Sequence, residues 1–209
     1  MEYVCGPKND RRKLLIALPD NAKNVGVLVN SSIPSTLLYF LLLTEKYYTG
    51  SDHVIKPFLV KKNNGDLDLF TNPIVSMILQ KFPEEKNIYP IIIDSTLAPN
   101  VNPVVSGIDQ ILRLARMDLV YAGTRQKLPE FGLDPTEYHD QTFIRYPFKG
   151  INGSHIIDLY HQVFMEDLLN YTHSCHHNKT IHCGNCDGCR ERFWSFEQLD
   201  KKDTRFFAD

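Results

Sequence analysis

Four cysteines lie close together near the C-terminal end of the sequence: Cys175, Cys183, Cys186 and Cys189. The last three are separated by Cys-x-x-Cys steps, and such a step lets two thiolates face one point. Gly184 and Gly188 permit the tight backbone turns that this spacing requires. Four soft ligands in a tetrahedron suit Zn²⁺ and leave no open position for a substrate, so the pattern predicts a structural zinc site.

Other interpretations of the cysteine pattern stay open. A pair of disulfides would require an oxidising compartment. An iron–sulfur cluster also uses closely spaced Cys-x-x-Cys steps, but the distal Cys-Pro is missing here. A histidine could replace a cysteine as ligand, although we expect the nearby histidines to lie at the surface or to support the ligands: His173, His176, His177 and His182. The fifth cysteine, Cys5, stands alone and is expected to be a free thiol.

The composition is that of a soluble globular protein. The chain has 209 residues, of which 43% are hydrophobic and 23% charged. A net charge of −2 gives no direct signal for nucleic acid or for an anionic membrane surface. The longest apolar stretch, 37–43, is too short to span a bilayer, and residues 1–20 do not resemble an export signal. We therefore expect a cytoplasmic protein that does not bind a membrane.

Two kinds of apolar segment alternate along the chain. Short β-branched or apolar runs predict buried strands at 25–29, 54–60, 89–94 and 119–123. Stretches with helical spacing predict helices at 37–47, 73–82 and 107–117. A last helix is expected from an N-cap at Ser154 to about residue 170. This alternation predicts an α/β fold, a Rossmann-like parallel sheet with helices on both faces, to which the cysteines add a zinc knuckle.

The chain is expected to form one compact domain with two parts. Residues 1–150 would form the Rossmann-like core, and residues 151–209 would add a C-terminal helix and the zinc-binding region. Parallel sheets bind ligands beyond the carboxyl ends of their strands. We therefore expect a binding site near the loops that follow Val29, Val60, Asp94 and Gly123.

The cysteine segment and its flanks resemble the 7-cyano-7-deazaguanine synthase (QueC) family. The stretch Thr172-His-Ser-Cys175, followed by His182-Cys-Gly-Asn-Cys-Asp-Gly-Cys-Arg190, is similar to that family's T-x-S-C … H-C-G-x-C-x-x-C signature. Upstream, Pro147-Phe-Lys149 and Ile156-Ile-Asp-Leu-Tyr160 resemble the pattern that precedes the family's metal site. The resemblance is specific toward the C-terminal end and traceable over the rest of the chain.

The resemblance implies an ATP-pyrophosphatase fold in which a loop of pattern S-G-G-x-D-S cradles pyrophosphate with backbone N–H groups. The corresponding stretch is Asn30-Ser-Ser-Ile-Pro-Ser-Thr36, in which serines replace both glycines and Pro34 replaces the aspartate. Serine adopts positive φ poorly and proline has no N–H, so the sequence predicts a capped helix start at Ser32 or Ile33. The alternative is weak phosphate binding through the loop's hydroxyl groups: Ser31, Ser32, Ser35 and Thr36.

The resemblance also implies residues that would contact nucleotide or substrate. The family's P-x-R-N motif is similar to Pro99-Asn-Val-Asn102, where valine replaces the arginine and Asn102 is the remaining nucleotide candidate. Gly123-Thr-Arg125 resembles a G-x-N motif, and Tyr138-His-Asp-Gln141 resembles a Y-P-D-C motif. The substrate-side candidates are therefore Arg125, Tyr138, Asp140 and Lys149.

The function implied is that of a QueC-like protein in 7-deazapurine metabolism of the queuosine type. A conventional member would use ATP, Mg²⁺ and ammonia to convert 7-carboxy-7-deazaguanine to 7-cyano-7-deazaguanine. Catalysis by adenylation depends on positioning and neutralising the triphosphate. The replacements in the loop therefore lead us to expect feeble ATP–Mg²⁺ binding and little or no pyrophosphate release.

Two alternative functions remain open. A pseudoenzyme would keep the fold as a binding, regulatory or structural subunit of a larger assembly or a homodimer, with a deazapurine or nucleotide as possible ligand. An active ATP-dependent ligase with a remodelled loop is the second alternative.

Overall fold

A computed structural model describes residues 1–61, 68–85, 89–94, 103–131, 142–178 and 180–205. The chain begins with an antiparallel hairpin of β1 (Glu2–Cys5) and β2 (Arg12–Leu15). The parallel sheet that follows consists of β3 (Asn24–Leu28), β4 (Val54–Val60), β5 (Ile91–Ile93), β6 (Leu119–Ala122) and β7 (Ile144–Arg145). The α-helices are α1 (Ile33–Thr49), α2 (Thr71–Leu79), α3 (Pro103–Leu114), α4 (Gly153–Gln162) and α5 (Asp187–Glu197).

The strand order β5-β4-β3-β6-β7 places β3 at the centre of the sheet. Val25 of β3 lies opposite Ile55 of β4 on one side and opposite Leu119 of β6 on the other. The chain leaves β3 toward β4 and later returns to β6 on the opposite side. Such a reversal opens a crevice outside the carboxyl ends of the central strands, where ligands of this fold bind.

Helix α1 connects β3 to β4 and is buried from Ser35 to Leu43, whereas its last residues, Tyr47 to Thr49, are exposed. Its N-cap is Ser32, with φ −69° and ψ 147°, and Pro34 lies in its first turn, which confirms the helix start expected from the sequence. The helix ends at Gly50, whose φ of 62° is the left-handed conformation that glycine adopts most readily. An apolar surface on all sides is typical of a helix that is packed between other elements.

Helices cover both faces of the sheet, as the sequence predicted. On one face, α1 and α4 pack in a core that includes Val27 and Ile157. On the other face, α3 contributes Ile108 and Ile111, which pack with Phe58 of β4. Helix α4 lies in the same core as α1. None of the described helices combines the length and the apolar character needed to cross a membrane.

The predicted helix from Ser154 to residue 170 is wrong at both ends. The N-cap is Asn152, whose Oδ1 accepts a hydrogen bond of 3.0 Å from the N–H of Ser154. The helix ends at Gln162 because the backbone turns at Phe164, where φ is 54°. This reversal buries Met165, and a 3₁₀ turn over Glu166–Asn170 follows.

Candidate functional site

A cleft of about 650 Å³ lies beyond the carboxyl ends of β3 and β4, as expected for a parallel sheet. One wall is the loop that connects β3 to α1, residues 30–36, which is called the phosphate-type loop below. The opposite wall is the segment from His173 to Cys189, called the cysteine segment. Arg125, which follows β6, and Glu191 of α5 also line the cleft.

The four sulfur atoms of the cysteine segment converge on one point. All four Sγ atoms lie within 4.8 Å of one another. Cys183 and Cys189 are 4.0 Å apart, and Cys175 and Cys186 are 3.9 Å apart. Zinc–sulfur bonds of about 2.3 Å in a tetrahedron would place the sulfurs about 3.8 Å apart. The cluster could therefore hold a metal ion, and because all the cysteines are free, the disulfide interpretation is wrong.

Backbone donors surround the sulfur atoms. The N–H of Asn178 donates to Cys175 Sγ over 3.3 Å, and the N–H of His176 donates to Cys186 Sγ over 3.4 Å. Backbone donors also lower the pKa of Cys183 to about 6, while burial raises the pKa of Cys189. The thiolate is the form that binds metals, and backbone donors stabilise it.

Two histidines support the cysteine segment from inside. His182 Nε2 accepts a 3.1 Å hydrogen bond from the N–H of Ser174, and burial lowers the pKa of His182 to about 3. His173 Nε2 lies 2.7 Å from the carbonyl oxygen of Asn178, an acceptor, so this nitrogen carries the hydrogen. The two rings are 4.9 Å apart between centroids. The histidines therefore hold the turns around the cysteines, as expected, and neither belongs to the described cluster of metal-ligating groups.

The cysteine segment is hydrogen-bonded directly to the phosphate-type loop. The N–H of His173 donates to the carbonyl oxygen of Ser31 over 2.8 Å. The His173 ring also stacks on Phe70, with centroids 5.6 Å apart and planes inclined by 14°. Phe70 immediately precedes α2, so three elements meet at this edge of the cleft.

A carboxylate from the chain itself contacts the phosphate-type loop. Asp68 Oδ2 accepts a 2.8 Å hydrogen bond from the N–H of Ser31 and a 2.7 Å bond from its hydroxyl. Asp68 Oδ1 accepts a 3.1 Å bond from the N–H of Phe70. A negative charge is favourable here because the N-termini of α1 and α2 both carry positive dipole ends. Asp68 thus takes part of the donor capacity that an anionic ligand would use.

The remaining polar groups of the phosphate-type loop bind one another. Asn30 Oδ1 accepts a 2.9 Å hydrogen bond from the N–H of Ser32. The Ser35 hydroxyl lies 2.8 Å from the carbonyl oxygen of Asn30, and the Thr36 hydroxyl lies 3.3 Å from the same oxygen. A Cβ at Gly123 would lie 2.7 Å from Ser35 Cα, so the end of β6 packs directly against the loop backbone.

Two arginines beside the cleft are paired with carboxylates. Both terminal nitrogens of Arg125 donate to Glu191 in an end-on pair, with 2.7 Å between Nη2 and Oε2, and Glu191 is only 2% exposed. Arg192 is buried as well and donates to both carboxylate oxygens of Asp203. It also donates to the Thr172 hydroxyl over 2.8 Å. Each such planar, two-point pair uses two of the five guanidinium N–H donors.

The candidates from sequence separate into three groups. The cleft is lined by Ser31, Ser32 and Arg125. Of the four clustered cysteines, Cys175 is among the described lining residues. Ser35 and Thr36 belong to the loop but are not among the described lining residues, and neither is the exposed Lys149. Three candidates lie outside the described residues: Asn102, Tyr138 and Asp140.

Sequence reasoning missed Asp68 and Glu191, the two carboxylates that line the cleft. Asp68 is separated from Ser31 by 37 residues, and Glu191 from Arg125 by 66. No local spacing signals either contact. The only hint for Glu191 in the sequence was its position, two residues after the last cysteine, Cys189.

The comparison with protein families agrees with this geometry. Residues 120–200 match the family model described as Queuosine biosynthesis protein QueC. This part of the chain is QueC-like. The QueC-like part contains β6, Arg125, α4, all four clustered cysteines and α5, whereas the phosphate-type loop and Asp68 lie before it. No curated protein matches the chain.

Proposed function

We propose that this protein is a QueC-like binding protein of queuosine-related 7-deazapurine metabolism that does not carry out ATP-dependent nitrile synthesis. The observation that carries the proposal is the contact between the Asp68 carboxylate and Ser31 in the phosphate-type loop. The match of residues 120–200 to the QueC family supports the choice of metabolism.

Electrostatics opposes pyrophosphate at this loop. Two like unit charges 4 Å apart repel by about 4 kcal/mol at an effective dielectric constant of about 20. A phosphate group at the start of α1 would meet Asp68 at such a range and would compete with it for the N–H of Ser31. Pro34 supplies no N–H, and the N–H of Ser32 already donates to Asn30. The loop therefore offers an adenylation reaction few of the donors that stabilise developing negative charge.

We propose structural Zn²⁺ as the occupant of the cysteine cluster. Zinc accepts four thiolates in a tetrahedron, and the sulfur separations of 3.9 and 4.0 Å fit that geometry. Bound zinc would stabilise the turns of the cysteine segment and thereby one wall of the cleft. The chain's own ligands fill all four positions, so the ion would supply no reactive site to a substrate.

The decisive experiment combines calorimetric titration with a pyrophosphate-release assay. The purified protein should bind a 7-deazaguanine base, bind ATP–Mg²⁺ feebly, and release little or no pyrophosphate with 7-carboxy-7-deazaguanine and ammonia. Pyrophosphate release at a rate comparable to a QueC enzyme with the Ser-Gly-Gly loop would contradict the proposal. A titration in which neither 7-cyano- nor 7-carboxy-7-deazaguanine binds would show that the ligand class is wrong.

A further inference from the structure

Two groups suited to an anion lie beside the cleft, and a carboxylate of the chain already contacts each one. The N-terminus of α1 faces Asp68, and the Arg125 guanidinium faces Glu191. We propose that the cleft selects an uncharged heteroaromatic base and excludes ligands that carry a phosphate or a carboxylate group. This inference rests on the proposed function and names the charge class of the ligand.

Hydrogen bonds hold the Asp68 side chain firmly beside the phosphate-type loop. Its two oxygens accept three hydrogen bonds, two from Ser31 and one from the N–H of Phe70. Phe70 stacks on His173 of the opposite wall, so moving Asp68 away would also disturb that contact. An incoming phosphate would have to displace a carboxylate that several donors stabilise.

Hydrogen bonds also hold the Glu191 side chain, which lies beside Arg125. It is 2% exposed, and its two oxygens each accept a hydrogen bond from Arg125. A ligand carboxylate near Arg125 would either be repelled by Glu191 or displace it and leave this buried carboxylate without its partner. An unpaired buried charge is strongly unfavourable, so Arg125 would keep Glu191.

The remaining charges of the cleft are also largely balanced. Lys61 lies 3.5 Å from Asp94, and Arg192 is paired with Asp203. Lys127 is exposed at the rim. The described lining therefore offers no strong excess of positive charge to attract an anion.

Much of the remaining lining of the cleft is apolar. Phe58, Val60 and Ile157 lie along its walls. An apolar cavity with a few polar groups at its edges suits a flat ring with polar edges. Carboxylate oxygens accept up to about four hydrogen bonds in total, so Glu191 can still accept from the N–H groups of such a ring.

The test uses two ligands that share one ring and differ in one substituent. We expect 7-cyano-7-deazaguanine, which is uncharged, to bind at least about tenfold more tightly than 7-carboxy-7-deazaguanine, a carboxylate. Adenosine should likewise bind more tightly than AMP. Equal or tighter binding of the carboxylate or of AMP would overturn the inference.

Two variants test which carboxylate excludes which kind of anion. Asp68→Asn keeps the shape and removes the charge, so it should raise the affinity for inorganic pyrophosphate by at least about tenfold. Glu191→Gln should instead raise the affinity for 7-carboxy-7-deazaguanine and leave that for pyrophosphate unchanged. Asp52→Asn, at an exposed ion pair with Lys23, is the control and should change neither.

The two proposals fail differently. If neither deazapurine binds to the wild-type protein, the proposed function is wrong, and the pyrophosphate titration of Asp68→Asn still tests the occupation of the loop. If the wild-type protein binds a deazapurine but Asp68→Asn gains no pyrophosphate affinity and Glu191→Gln gains no carboxylate affinity, the charge selection is wrong and the proposed function stands. Melting temperatures of both variants show whether each is folded.

Discussion

The two walls of the cleft differ in how their polar groups are used. The groups of one wall remain arranged for the expected ligand, whereas those of the other wall bind residues of the chain itself. The cysteine segment presents four converging sulfur atoms with backbone donors beside them, a geometry that fits a metal ion. In the phosphate-type loop, the N–H groups of Ser31 and Ser32 donate to Asp68 and Asn30. The difference teaches that the groups that stabilise a fold and the groups that stabilise a reacting phosphate can be separated within one cleft. Four predictions test this contrast, in order of decreasing effect.

Removing a metal ligand should damage the protein most. We expect Cys186→Ser to lose the metal and most of the folded population, because structural zinc contributes about 10–16 kcal/mol in small zinc-binding peptides. Elemental analysis should give about one zinc per wild-type chain, and circular dichroism should report the loss of folding. Cys5→Ser, at a buried cysteine outside the cluster, should retain zinc. Iron, or a visible charge-transfer band, would contradict the zinc assignment.

Breaking the buried pair behind the cysteine segment should have the next largest effect. Arg192→Met leaves Asp203 buried and unpaired, and we expect a loss of about 3–5 kcal/mol in the free energy of unfolding. Arg113→Met breaks an exposed pair with Asp109 and should cost about 0.3–0.5 kcal/mol. Urea denaturation of both variants measures the contrast. Similar costs would mean that the buried pair does not support this wall.

A methyl group between β6 and the phosphate-type loop should have a smaller effect. Gly123→Ala would place a Cβ 2.7 Å from the Cα of Ser35, and overpacking of this kind costs about 1–3 kcal/mol. Gly150→Ala meets no atom within 4 Å and should be neutral or stabilising by up to about 1 kcal/mol. Thermal melts distinguish the two variants. An unchanged melting temperature for Gly123→Ala would show that the loop backbone can move.

Acidification should weaken α4, which contacts both the phosphate-type loop and α5, by the smallest amount. The Tyr160 hydroxyl donates to the carbonyl oxygen of Ile33, and Gly153 packs against Ser195. Burial lowers the pKa of His155 in the folded protein below its unfolded value of about 6.5. The unfolded chain therefore binds this proton first, and the free energy of unfolding falls as the pH drops below about 6.5, by at most about 1.4 kcal/mol per unit.

Replacing His155 isolates that contribution. His155→Gln should make the urea midpoint less dependent on pH between 7.5 and 5.5 than it is in the wild-type protein. An unchanged pH dependence would show that other groups cause the loss of stability.

The central elements of the fold could be predicted because their signals are local. Strands β3 and β6 are almost entirely apolar, and β4 is apolar apart from Lys56, as is typical of buried parallel strands. Helix α5 was missed because its first residues, Asp187 to Arg192, are polar or small and include a cysteine of the cluster, so no apolar stripe marks them. Helix α4 was predicted too long because Phe164 adopts a conformation that glycine usually supplies.

The candidate site could be predicted only in part. The cysteine cluster was found because its ligands are close in sequence. The partners of Ser31 and Arg125 were not, because their contacts are created by the packing of distant segments. The replacement of the loop's glycines predicts weak phosphate binding, but nothing in the sequence indicated that Asp68 would accept hydrogen bonds from Ser31.

The hydrogen bond from the N–H of His173 to the carbonyl oxygen of Ser31 joins two backbone atoms. Replacing either side chain by any residue other than proline at position 173 leaves both atoms in place. The separation of the two walls is thus insensitive to mutation at its point of contact. The side chains around the cleft can therefore change, and ligand preference with them, without removing this hydrogen bond.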